Sequence, residues 1–143
     1  MGSTEIVMES QVRAPIEAVF EALTDHEGMS DWPGVSAATL ITEGTPRNGV
    51  GAVRAIVARG LTLHEEIVHF EAPNRYDYTI IKGLPVRHLG SVRLRSEGEI
   101  VHVEWKVVMS SRIPFLAQIV GKLLRQGLPK ALEHVKREIE SDK

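Results

Sequence analysis

Residues 114–139 read PFLAQIVGKLLRQGLPKALEHVKREI, and their spacing decides what the rest of the chain must supply. Leu116, Ile119, Val120, Leu123, Leu124, Leu128, Leu132, Val135 and Ile139 fall on or near one stripe at helical spacing. Lys122, Arg125, Lys130, Glu133, Lys136 and Arg137 mostly lie opposite. Pro114 suits the start of a helix, where a missing N–H costs nothing. The pattern predicts one long amphipathic helix. Gly127 and Pro129 interrupt it, and a kink or short break is expected near residues 125–129 because proline cannot donate to the helical ladder. An apolar stripe of this length needs an extended apolar surface to lie on.

The segment upstream supplies that surface. From Val35 onward the period changes to two, and runs of strand formers are expected at about 35–43, 51–58, 61–70, 75–82, 86–95 and 100–110. Turn residues near 44–49, 59–60, 72–75, 83–85 and 96–99 separate them as successive antiparallel hairpins. Residues 4–12 add a strand at the front, making seven. Between the first and second strands, Pro15 precedes Ile16, Val19, Phe20 and Leu23, the stripe of a short helix. Asp25 is placed to cap a second short helix at 26–31, which Trp32-Pro33-Gly34 ends. The expected class is α+β: a seven-stranded antiparallel sheet with two short helices between strands 1 and 2, curled around the long C-terminal helix. A curled sheet does not close on a rod along its whole length, so a cavity between them is expected.

Composition narrows the functional classes. A chain of 143 residues forms one domain, 1–143. Apolar residues make up 43% and charged residues 25%, the balance of a folded globular protein rather than a disordered one. With 17 basic and 19 acidic residues the net charge is −2, so no global field favours nucleic acid or an anionic membrane. Arg87, Arg93 and Arg95 read as a solvated strand face. With no cysteine there are no disulfides, thiolate nucleophiles or zinc–thiolate sites. No signal peptide is visible at the N-terminus, and no apolar run approaches the ~18 residues of a membrane span. A cytoplasmic protein without integral membrane association is expected. The six histidines, at 26, 64, 69, 88, 102 and 134, show no local metal-ligand spacing. Residues 44–51 are glycine-rich but lack the lysine of a phosphate loop, and there is no G-x-S-x-G elbow. Neither a metal nor a cofactor is expected.

Alternation tells which side chains face the helix. In residues 61–69 the more apolar face is Leu61, Leu63, Glu65, Ile67 and His69, which places it inward. A two-residue turn at Arg59-Gly60 sets Arg54 opposite Glu65 and Ile56 opposite Leu63. An arginine and a carboxylate facing each other inside a sheet satisfy one another, where either alone would be costly. Tyr76, Tyr78 and Ile80 share a face; so do Val86, His88, Gly90, Val92 and Leu94; so do Val101, Val103, Trp105, Val107 and Met109. Hairpin geometry sets Gly90 between Tyr78 and Trp105, where a glycine leaves room for large rings. The inward set is aliphatic with a few polar groups, the composition of a small-molecule pocket. Each polar member also has a purely structural reading: Arg54–Glu65 as an ion pair at the cavity edge, His88 as a core histidine bonded to a tyrosine or a carbonyl.

The pattern resembles the START-like, helix-grip superfamily that includes the polyketide cyclase/dehydrase and lipid-transport proteins. The resemblance is carried by Val12-Arg13-Ala14-Pro15-Ile16-Glu17-Ala18-Val19-Phe20, Leu23-Thr24-Asp25, Trp32-Pro33-Gly34-Val35 and Gly49-Val50-Gly51. It continues through Glu66-Ile67-Val68-His69-Phe70-Glu71-Ala72-Pro73-Asn74-Arg75-Tyr76-Asp77-Tyr78, Val103-Glu104-Trp105 and the terminal helix. Such domains include binders of apolar ligands, coenzyme Q-binding proteins, aromatic polyketide cyclases and stress-related plant allergens. The resemblance implies a domain that holds a small hydrophobic or amphipathic molecule (lipid, quinone or polyketide-like) between sheet and helix. The candidate lining is Trp32, Arg54, Ile56, Glu65, Tyr76, Tyr78, His88, Trp105, Leu116 and Val120. The alternative is a cyclase or dehydratase with His88 or Glu65 as base and Arg54 or a tyrosine hydroxyl steadying an enolate oxygen. A third expectation is an interaction protein, in which the terminal helix presents its charged outer face to a partner or the edge strand at 35–43 pairs with a second copy as a homodimer.

Overall fold

Alternation ahead of Pro15 forms strand β1 (Ser3–Arg13), and the stripe after it forms helix α1 (Ile16–Thr24). Pro15 lies just before the helix, and its carbonyl accepts from the Ala18 and Val19 N–H groups. Asp25 accepts from the Gly28 N–H at 3.1 Å and so caps a 3₁₀ turn, Glu27–Asp31. Six strands follow: β2 (Val35–Thr42), β3 (Val53–Ala58), β4 (Leu61–Glu71), β5 (Arg75–Lys82), β6 (Arg87–Glu97) and β7 (Ile100–Ser110). Helix α2 (Leu116–Ser141) ends the chain. These elements come from a computed structural model, which describes residues 3–141.

All seven strands join one antiparallel sheet in the order β1-β7-β6-β5-β4-β3-β2, so β1 and β2 are its edges. The helix-grip architecture is the one the sequence predicts. The β3–β4 register pairs Arg54 with Glu65 and Ile56 with Leu63. Tyr78 pairs with Gly90 as expected. The next register differs by two residues. Gly90 pairs with Val107, and Trp105 with Val92, because the β6–β7 hairpin turns tightly between Glu97 and Ile100. A shift of two keeps every side chain on its face, and Val101, Val103, Trp105, Val107 and Met109 are all buried.

His69 is a second correction. The β4–β5 register shifts between Ile67 and His69, and this bulge reverses the alternation beyond it. Phe70 packs its ring on Phe20 at 5.2 Å, while His69 pairs with Asp77 and approaches Glu71 at 3.4 Å. Of the kink or short break expected near residues 125–129, the break is absent: α2 runs through Pro129 as one helix. Proline removes one rung of the ladder there, and packing of Ala131, Leu132 and Val135 below it and Ala117 and Gly121 above it holds both sides of the rung in one helix.

Helix α2 leans on one edge of the sheet. Arg125 donates to the Glu5 carbonyl at 3.1 Å and Lys136 to the Gln11 carbonyl at 2.7 Å, and the Arg13 N–H donates to Glu140 at 2.9 Å. Gly121 sits directly against the Thr4 side chain, an approach that any Cβ would block. The helix therefore rests on β1 and stands away from β3, β4 and β5.

Candidate functional site

That offset leaves a cavity of about 330 Å³ between α2 and the far half of the sheet. Val120, Leu123, Leu124, Gly127, Leu128 and Ala131 of α2 form its roof. Ile56, Leu63 and Ile80 form the apolar part of its floor, and Met29, Trp32 and Val35 close one side. The volume lies near the lower end of the ~300–1,000 Å³ usual for small-molecule sites. Trp32 is buried and meets Trp105 edge-to-face at 6.2 Å, so the 3₁₀ turn and its exit form a wall of the cavity.

The polar groups gather at one end. Arg54 Nε and Nη2 both donate to Glu65 Oε1, at 2.9 and 2.7 Å, across the β3–β4 pair. Its third nitrogen, Nη1, donates to His26 Nδ1 at 3.0 Å. The guanidinium also lies over the Tyr78 ring, 4.8 Å from its centroid. Burial works against the Arg54 charge, and the Glu65 carboxylate overcomes it, so its pKa is held above the ordinary arginine value. Because Arg54 must donate, His26 Nδ1 accepts, and its Nε2–H donates to the Asn48 carbonyl at 2.9 Å. Burial, reinforced by the Arg54 charge, lowers the His26 pKa to about 4, which keeps this ring neutral.

Trp105 Nε1 donates to the Tyr78 hydroxyl at 2.9 Å, which leaves the Tyr78 hydrogen free to donate in turn. Burial pushes the Tyr78 pKa up, so the phenol stays protonated. His88 stacks at 5.3 Å from Tyr78, and burial lowers its pKa. Its Nδ1 has no hydrogen-bond partner among the described residues.

Of the residues the sequence singles out, Trp32, Arg54, Ile56, Glu65, Tyr78, His88, Trp105 and Val120 line this cavity. Tyr76 and Leu116 do not. Tyr76 lies under α1, packs on Phe20 at 5.9 Å and donates its hydroxyl to the Leu23 carbonyl at 3.3 Å. Leu116 sits at the first turn of α2, short of the roof. His26, which holds Arg54 without lining the cavity, is the member of the polar cluster that sequence reading missed. It marks only the start of a short helix there, and nothing in its spacing links it to Arg54, 28 positions away.

Two larger recesses, about 720 and 620 Å³, are open grooves on the outside of the molecule. No group of three or more metal-ligating side chains comes together among the described residues, and no helix among them is long and apolar enough to cross a membrane.

A family model described as polyketide cyclase / dehydrase and lipid transport matches residues 3–140. No curated protein shows significant sequence similarity. Several solved structures share the fold. The Zhui aromatase/cyclase from Streptomyces sp. R1128 superposes with a TM-score of 0.83 at 18% identity, covering 97% of this chain and 94% of that one. A START superfamily protein from Mycobacterium smegmatis gives 0.82 at 11% identity over 99% and 100%. A norcoclaurine synthase point mutant from Thalictrum flavum, in complex with a transition-state analogue, gives 0.76 at 14% identity over 99% and 96%. Identities this low establish shared architecture and nothing about ligands.

Proposed function

The chain belongs to the polyketide cyclase/dehydrase and lipid-transport family, and from that premise we propose that it binds one small hydrophobic or amphipathic molecule in the cavity between α2 and β3–β6. The observation that carries this reading is the segregation of the lining: an aliphatic roof faces a floor whose polar side chains cluster at one end. Burial of the ligand's apolar surface drives binding at about 25 cal/mol per Å². Arg54, Glu65, Tyr78 and His88 orient its polar end. The small volume suits a compact ring system better than a two-chain lipid. The cysteine-free chain suits a reducing compartment, and a cytoplasmic location goes with this reading. The free edge of β2 is where a second copy would add if the protein dimerises.

Native mass spectrometry of protein purified from its own host tests the reading. A co-purified small molecule is expected, or a mass shift on adding quinones, single-chain lipids or aromatic polyketides. An unaltered mass in every case sinks it.

A second reading, proton transfer in a cyclase- or dehydratase-like reaction, is favoured by one feature. His88 is a buried, neutral imidazole at the cavity wall whose Nδ1 has no partner among the described residues. Glu65 is the other candidate base, but its Oε1 is engaged twice by Arg54. On this reading His88→Gln abolishes turnover of a bound polyketide-like substrate and leaves its dissociation constant nearly unchanged. Equal loss of both returns His88 to a binding role.

A further inference from the structure

We propose that the polar end of this cavity selects a neutral hydroxyl-bearing head group, one that donates to Glu65 and accepts from Tyr78, and that it turns away carboxylates and other anionic heads. This rests on the reading of the cavity as a ligand site and adds the class of molecule it takes.

The inference follows from which hydrogen-bonding positions are already used. Arg54 is the one cation among the lining groups buried at this end, and an anion would be expected to seek it. Three of its five N–H groups are spent, on Glu65 Oε1 from Nε and Nη2 and on His26 Nδ1 from Nη1, and the two left over belong to a buried guanidinium. Its face rests on Tyr78, and it is only 2% exposed. Its charge is matched at 2.7 Å by the carboxylate that shares the floor. Little of it remains for a ligand.

What remains open is of another kind. Glu65 Oε2 accepts from no group among the described residues, and the Glu65 side chain, which lines the cavity, keeps 9% of its surface open. The Tyr78 hydroxyl has spent one lone pair on Trp105 and retains its hydrogen. An alcohol or phenol satisfies both: its hydrogen goes to Glu65 and its oxygen accepts from Tyr78. A carboxylate at this end would face Glu65 Oε2 in a low-dielectric hollow where Arg54 is already paired, and the other arginine of the lining, Arg59, is exposed in the β3–β4 turn, five residues along the chain from Arg54. An ether could accept from Tyr78 but would leave Glu65 without a donor.

Three probes with one apolar body separate these cases by calorimetry near neutral pH: 2-naphthol, 2-methoxynaphthalene and 2-naphthoate. The alcohol is expected to bind at least about tenfold tighter than either of the others. Glu65→Gln leaves Arg54 as an uncompensated cation and is expected to invert the order, with 2-naphthoate the tightest. If that variant does not fold, the Arg54→Gln/Glu65→Gln pair keeps the cavity neutral and should narrow the gap between alcohol and acid. A wild-type preference for 2-naphthoate overturns the proposal. So does equal binding of all three probes, or an alcohol-to-acid ratio unchanged in whichever variant folds, although either result leaves the cavity as a binding site. Failure of every probe to bind overturns the ligand-site reading together with the proposal.

Discussion

His26 carries no charge in the folded protein, and that makes stability depend on pH over a definite window. In an unfolded chain its proton is taken up near 6.5; in the fold, burial and the Arg54 charge hold protonation off until about 4. Between these values the unfolded state binds more protons, so stability falls as pH drops from about 6.5 toward 4, and the His26 share of the loss levels off below. The loss is on the order of 3 kcal/mol. His88, lowered in the same direction, adds to it. Urea midpoints followed across that window should show the fall, and His26→Gln, which keeps an acceptor for Arg54 and a donor for Asn48, should flatten part of it. An unchanged slope would mean that His26 is protonated in the fold. Gly90 acts at the same scale: a Cβ there would strike the Tyr78 ring. Gly90→Ala is expected to cost about 1–3 kcal/mol in urea denaturation, because Tyr78 is held from the other side by Arg54 and Trp105 and cannot retreat.

At the scale of elements, α2 carries a proline that does not interrupt it. Pro129 is exposed, fourteen residues into a 26-residue helix that continues past it. Pro129→Ala restores the missing rung, and it should raise stability by about 2 kcal/mol, the helical gain less the stiffening that proline gives the unfolded chain. A lower thermal midpoint would show that the proline sets a bend the packing needs. The β4 bulge has the opposite character, since it alters what the strand presents. Ahead of it Glu65 and Ile67 face inward; beyond it Phe70 does, and the core gains the ring that packs on Phe20. Without the shift, His69 would occupy that place.

Across the whole molecule, the cavity exists because the helix is anchored on the wrong side of centre to fill it. Gly121 lets α2 settle against β1, and the contacts from Arg125 and Lys136 keep it there, so the roof stands off β3 to β5. Gly127 lies in that roof, and a Cβ added to it would meet nothing within 4 Å. Gly127→Leu should therefore fill the cavity without loss of stability, since leucine is also the better helix former by about 1 kcal/mol. Its thermal midpoint should equal or exceed the parent's while calorimetric binding of 2-naphthol disappears. Binding that survives the substitution would place the ligand elsewhere.

The chain's own order of residues determined the elements, the successive hairpin pairings from β2 to β7 and most of the faces. Periods of two and 3.6 are local properties, and a tight turn at Arg59-Gly60 is enough to set Arg54 opposite Glu65. The membership of the polar cluster was only half legible. Arg54, Glu65, Tyr78, His88 and Trp105 could be read from alternation along neighbouring strands, but His26 could not, because it arrives from a 3₁₀ segment with no period of its own. Tyr76 shares Tyr78's face and still lies outside the cavity, since α1 covers its part of the sheet. Where a bulge reverses a strand, whether a proline breaks a helix, and on which edge that helix comes to rest are set by packing between distant segments. These are sums over many weak contacts, and local pattern carries no record of them.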